Sequence, residues 1–269
     1  RNVVSVGADP DQIAILDNFC WGNPMLPDRL GGLVRASQGC HDAAVAFGVP
    51  FISGKDSLYN EYRLADGESR AIPGTLLISA IGIVPDLAAV SSMFLKEPGN
   101  LLFLVGGTGD DLGGSLAARV TGVDSGRAPQ VDLEQAREAL RAVHGAVRDG
   151  LTRSVHDLSD GGLAVALAEM ALAGNLGASV NLDSVPVLAG DLDEGVLLFS
   201  ETPSRFLVEV APSDVPAFEA ALATVPHAPI GEVSEDGLLT ILSRGELVVQ
   251  SPVDHLKATW QATLADGNV

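Results

Sequence analysis

Positive charge is what this sequence has least of. Lysine occurs only at positions 55, 96 and 257, and the 269 residues carry a formal net charge of -19. The isoelectric point lies near 4.4. Such a surface repels nucleic acid and anionic membrane, which excludes a general polyanion binder. An anionic substrate would need a local cationic pocket against that background. Cysteine is also scarce: Cys20 and Cys40 are too few for a disulfide scaffold or a zinc site. A reducing, cytoplasmic setting is expected. No stretch reads as a signal peptide, and no apolar run is long enough to span a bilayer. What is abundant is apolar residue, 46% of the chain, ample for a large core in one or two domains. Residue 1 is Arg, inside what reads as the tail of a helix. A natural start would carry Met, so an upstream part is expected to be missing.

The other elements gather around Ile52-Ser53-Gly54-Lys55-Asp56-Ser57-Leu58-Tyr59-Asn60-Glu61. An apolar run ends there in a glycine, a cation, an anion and a hydroxyl. That is the layout of a strand delivering polar groups into a loop at its C-terminal end, where open α/β sheets place ligands. Gly54 would let backbone approach a phosphate, and Lys55 would supply a mobile charge for it. Asp56 could hold a cation and Ser57 donate a hydrogen bond. The competing reading is a surface turn whose charges pair with each other. Gly-Lys-Asp-Ser is not a Walker motif.

Along the chain, apolar runs of strand length fall at 12–16, 49–52, 75–84, 101–105, 180–182, 196–199, 206–210, 238–242 and 246–250, the last two as a hairpin. Helical patterns fall at 27–47, 133–147, 163–172, 215–224 and 254–264. The order predicts an α+β fold with helices on one sheet face rather than a strict doubly wound fold. Composition turns polar around Lys96-Glu97-Pro98-Gly99-Asn100, which places a domain boundary there and gives domains 1–97 and 98–269. Asp17, after the first strand, reads as a metal or nucleotide ligand or as a cap. The glycine-rich 106–115 segment reads as an anion-binding loop or as a flexible turn before an acidic helix start. Asp157 and Asp160 flanking Ser159 could form a magnesium–nucleotide corner. Alternatively, Ser159 or Asp160 caps the next helix.

Four stretches together resemble one family: Asp17-Asn18-Phe19-Cys20-Trp21-Gly22-Asn23-Pro24, Ser53 to Glu61, His156-Asp157-Leu158-Ser159-Asp160-Gly161-Gly162-Leu163, and Leu198-Phe199-Ser200-Glu201. The family is formylglycinamidine ribonucleotide synthetase (phosphoribosylformylglycinamidine synthase), in the aminoimidazole ribonucleotide synthetase-like superfamily. The resemblance implies the second of two tandem halves, with a truncated N-type sheet domain followed by a C-type α/β-sandwich domain. It implies an ATP-dependent carbon–nitrogen ligase of purine biosynthesis, supplied with ammonia from glutamine by a glutaminase domain or subunit. Asp17, Gly54 and Ser159 would line a nucleotide site for ATP or ADP, with Lys55 and Ser57 approaching phosphate. Asn2 and Asp157 would sit near its Mg²⁺. No catalytic residue is assigned, because the family's catalytic His belongs to the missing first half, and none of the five histidines here takes that role. The family's Glu-Ser-Gln substrate stretch reads Glu201-Thr202-Pro203, which weakens a substrate role for Glu201. The alternative is a non-catalytic half that holds a structural ADP and packs on its catalytic partner. Alone, the chain is expected to be inactive and to form a homodimer.

Overall fold

The computed structural model describes residues 1–122 and 128–265. The expected second domain, 98–269, therefore includes two stretches outside the described residues. In order, the elements are α1 (Asn2–Ser5), β1 (Ile13–Cys20), α2 (Pro27–Phe47), β2 (Phe51–Ser57), β3 (Glu61–Arg63), β4 (Ser69–Ala71), β5 (Thr75–Gly82) and β6 (Leu101–Val105). Then follow α3 (Leu116–Thr121), α4 (Leu133–Arg148), β7 (Ser154–Asp157), α5 (Gly162–Gly174), β8 (Gly177–Asn181), α6 (Glu194–Phe199) and β9 (Phe206–Val210). The last are α7 (Val215–Ala221), β10 (His227–Ser234), β11 (Leu238–Ser243), β12 (Glu246–Pro252) and α8 (Val253–Ala265). No helix among the described residues is long and apolar enough to cross a membrane.

The chain forms two compact units, Ala8–Pro85 and Arg1–Gly7 with Asp86–Val269. By compactness the division thus falls at Pro85/Asp86, and α1 belongs with the larger unit. The smaller unit holds a three-stranded sheet in the order β2-β1-β5. Its β1 and β2 run parallel, β1 and β5 antiparallel. Parallel neighbours need a crossover, and α2 is that crossover. It starts on Pro27, whose missing N–H costs nothing there, and ends at Gly48 with φ 71°.

The larger unit is built on a seven-stranded sheet, β12-β11-β8-β10-β6-β9-β7, antiparallel except between β11 and β8. Successive strand residues point to opposite faces. Leu102, Leu104 and Leu207 join Leu163, Leu167 and Met170 of α5 and Val253 of α8 in one core layer. Phe103, between the two leucines, meets Phe218 of α7 on the other face, ring centroids 5.0 Å apart. Burial on both sides explains the unbroken apolar run of β6 and the run of β9 that only Glu209 interrupts. It also corrects the one-sided layering expected from sequence: helices cover both faces of this sheet.

Other expectations change too. Residues 196–199 form the helix α6, because the Asp193 carboxylate accepts from Val196 N–H at 2.8 Å and starts a helical turn. Strand β10 was not foreseen. It contains Pro229 and Gly231, and a register shift between them accommodates both residues.

Candidate functional site

In the smaller unit the expected ligand loop is strand. Gly54, Lys55, Asp56 and Ser57 lie within β2, and Asp17 lies in the middle of β1 opposite Gly54. The need for glycine at 54 is steric. A Cβ there would collide with the Asp17 carboxylate, sitting 2.7 Å from its Cγ. The Asp17 carboxylate therefore lies over the Gly54 backbone, and the structure brings these two residues together. Lys55 and Asp56 are adjacent on a strand and point to opposite faces. They form no ion pair with each other, and Lys55 is exposed. The charge-paired surface turn is thus not what this stretch forms. Ser57 Oγ donates to Asn60 Oδ1 at 3.2 Å, and Asn60 Nδ2 donates back to Ser57 O at 2.8 Å, closing the strand in a tight turn.

Part of the Asp17–Pro24 stretch is structural. Trp21 Nε1 donates to Arg29 O at 2.9 Å, and its ring fills the space that a side chain at Gly74 would need. Glu61 accepts from Asn23 N–H at 2.9 Å and Ser69 Oγ at 2.7 Å. Arg29 Nε lies 3.1 Å from Glu61 Oε1, close enough for ion pairing although not aligned for a hydrogen bond. The Asn23 N–H and Ser69 hydroxyl, aided by Arg29, hold the Glu61 carboxyl below its ordinary range.

In the larger unit, Asp157 ends β7 and is buried. Asn2 Nδ2 donates to its Oδ1 at 3.1 Å and Arg1 Nε to its Oδ2 at 3.0 Å. Burial opposes ionisation here. The hydrogen bonds from Asn2 and Arg1, with the Arg1 charge, outweigh it and lower the carboxyl's pKa. Asn2 and Asp157, both expected near a metal, are thus in direct contact. Ser159 is exposed two residues on. It does not cap α5, and neither does Asp160. The N-cap is Gly161, at φ 81°, without a side-chain cap. His156 Nε2 pairs with Glu169 Oε2 at 2.8 Å.

The 106–115 segment is not a free turn. Gly109 N–H donates to Thr202 Oγ1 at 2.9 Å, Ser200 Oγ to Gly109 O at 2.7 Å, and Thr202 Oγ1 to Asp111 Oδ2 at 2.8 Å. Beneath them Arg205 is fully buried and donates to Thr108 Oγ1 at 3.0 Å, Thr202 O at 3.1 Å and Ser200 O. It makes no ion pair among the described residues, and desolvation pushes its pKa down to about 10, leaving it charged at neutral pH. Sequence reasoning missed this arginine. The only local signal was a cation at the head of an apolar strand.

The model of the family described as AIR synthase related protein, C-terminal domain, matches residues 97–243. Phosphoribosylformylglycinamidine synthase subunit PurL of Deinococcus radiodurans is 37% identical over 271 residues, covering 98% of this chain and 35% of the relative. The subunit of that name from Thermococcus sibiricus is 35% identical, covering 97% of this chain and 35% of the relative. The chain therefore spans about a third of the length of the curated relatives it matches. Among solved structures, T. maritima PurL complexed with FGAR superposes with a TM-score of 0.74 at 25% identity, over 94% of this chain and 40% of that one. Hydrogenase maturation protein HypE in complex with ATP shares the fold, with a TM-score of 0.65 at 20% identity over 93% of this chain and 77% of that one. With the family model matched over more than half of its length, and with PurL proteins among its relatives, this chain belongs to the AIR synthase related protein family.

Proposed function

We propose that this chain is part of an ATP-dependent carbon–nitrogen ligase converting formylglycinamide ribonucleotide to formylglycinamidine ribonucleotide in de novo purine biosynthesis. The PurL likeness over nearly the whole chain supports this reading. The observation that carries it is the Asn2–Asp157 contact, made across 155 residues of sequence beside an exposed Ser159. In the reaction, the formyl-amide oxygen attacks the γ-phosphorus of ATP and ADP leaves. Ammonia then adds to the activated carbon and phosphate departs, leaving the amidine. The protein's tasks are to neutralise the transferring phosphoryl group and to hold the acceptor in line.

Within the smaller unit, Asp17, Gly54, Lys55 and Ser57 are proposed contacts to ATP or ADP. Within the larger unit, Ser159 is proposed separately as a nucleotide contact. Among the described residues no group of three or more His, Cys, Asp or Glu could hold a metal ion unaided. Asp157 and Asn2 fit a Mg²⁺ whose remaining ligands are phosphate and water, which is how this ion is usually held. At Asp157 Oδ2 the ion would exchange with Arg1. When bound, Mg²⁺ would offset phosphate charge. The part of a longer chain that this sequence does not span, a glutaminase domain or subunit supplying ammonia, and a cytoplasmic setting complete the proposal. The small sheet exposes Leu77 at 59% and Ile81 at 58% on one face of β5, a surface suited to pairing with a second copy.

The sparse donor set favours one other reading, a non-catalytic half that holds ADP structurally and packs against the catalytic half. Calorimetric titration of ATP and ADP, with and without Mg²⁺, separates the two. Mg²⁺-dependent ATP binding abolished by Asp157→Ala is expected from a reacting site. Mg²⁺-independent retention of ADP supports the structural reading. Absence of any nucleotide binding, in this chain and in the longer protein, sinks both.

A further inference from the structure

Around Glu201 lies a circuit of contacts outside the proposed nucleotide contacts. A single carboxylate oxygen, Oε1, accepts from Gly161 N–H and from Leu116 N–H, each at 2.8 Å. Gly161 is the N-cap of α5 and Leu116 the first residue of α3. The first N–H groups of a helix have no partner within it, and these two, 40 and 85 residues from Glu201, share this one anion. The glutamate is itself fixed. Its N–H donates to Asp111 O at 3.0 Å. The carbonyls on either side of it, Ser200 O and Thr202 O, both accept from the buried Arg205 guanidinium. The turn before α5 has no slack either. Gly162, at φ 63°, packs so closely on the 198–200 backbone that a Cβ would collide with Ser200 O and lie 3.0 Å from Leu198 O.

We infer that Glu201 is a positioning residue, an internal anion that pins the turn after Asp157 to the start of α3 and closes the N-terminal end of α5 to outside anions. A helix N-terminus ordinarily attracts phosphate. Here a phosphate would have to displace a carboxylate whose backbone is anchored on both sides. Any phosphate group reaching this end of the larger unit is met by side chains, not by the Gly161 amide. The inference concerns contacts within one unit and stands whether or not the chain binds nucleotide.

Amide NMR with inorganic phosphate as the probe tests it. In the unaltered chain the Gly161 and Leu116 amides are expected to be protected from exchange, and phosphate leaves their shifts unchanged. In Glu201→Ala both amides exchange about tenfold faster or more, the loss of one hydrogen bond each, and phosphate now shifts both. Glu201→Gln keeps an acceptor oxygen, so both amides stay protected. Amides of β6 and β9 report whether each variant is folded. The inference is overturned if phosphate shifts the two amides in the unaltered chain, if they exchange there at the rate of exposed amides, or if Glu201→Ala leaves them as they were. Should Glu201→Ala not fold, the unaltered chain decides alone. Nucleotide titration uses a different probe, so its failure would not be mistaken for this one.

Discussion

The larger unit buries three charged groups, Asp157, Arg205 and Glu209, and satisfies each with hydrogen bonds, whereas the smaller unit buries none of its charged groups and leaves much of its apolar surface in solvent. Glu209, the penultimate residue of β9, is fully buried. Its carboxylate accepts from Lys96 N–H, Glu97 N–H, Asn100 Nδ2 and Ser154 Oγ at 2.7–3.1 Å. In the smaller unit, Glu61 also gathers a backbone N–H, a hydroxyl and a guanidinium, but near the surface. No residue of its 21-residue α2 is buried. Similar polar contacts thus carry different weight: in the larger unit their loss strands donors away from water, and in the smaller one water replaces them.

The largest effect expected from this contrast is that of Glu209→Ala. Four donors lose their acceptor, two of them, Asn100 and Ser154, in buried pairs, and a loss of more than about 3 kcal/mol is expected, read as a fall in the urea midpoint. Glu61→Ala should shift the midpoint far less. Equal losses would mean that burial does not separate the two units as argued.

Gly54→Ala is next. The new methyl has no room beside the Asp17 carboxylate, and overpacking of this kind costs about 1–3 kcal/mol. Asp17→Ala in the same chain should remove the obstacle and restore most of the loss. A double-mutant cycle reads the coupling directly, and strictly additive effects would show that the two residues do not compete for space.

Sequence showed most of the larger unit because its central strands are covered on both faces. Leu101–Val105 reads as an unbroken apolar run for that reason, and Phe206–Val210 as one interrupted only by Glu209. Where one residue overrides a local pattern, reading failed. Asp193 turns an apolar run of strand length into α6, and a Pro and a Gly hid β10 behind turn chemistry. In the smaller unit, polar residues 53–57 looked like loop because nothing local announces that β1 pairs with them through Ser57. At the site, Asp157 and Ser159 stood out in the acidic 156–160 stretch itself, whereas Asn2 was named only through a resemblance carried by several motifs together. The Asn2–Asp157 contact itself is invisible to periodicity. The role of Glu201 had no local signal at all, since its partners sit at positions 116 and 161.

Lys55 should give the smallest effect on stability and is therefore the sharpest probe of what the smaller unit is for. Its strand, β2, is an edge of the three-stranded sheet. Lysine on an edge strand discourages pairing with another chain, and that alone would account for a cation here. As an exposed residue without an ion pair among the described residues, it should change stability by less than about 0.5 kcal/mol when replaced by Ala. The two roles then part. If Lys55 only guards the edge, Lys55→Ala raises self-association in light scattering and leaves nucleotide affinity alone. If it meets phosphate, affinity falls about tenfold or more, as for a hydrogen bond to a charged group, while the mass in solution is unchanged. The second outcome is the one expected. Lys55 is one of only three lysines in a chain of net charge -19, and an acidic protein that merely needed a guarded edge could have used a carboxylate.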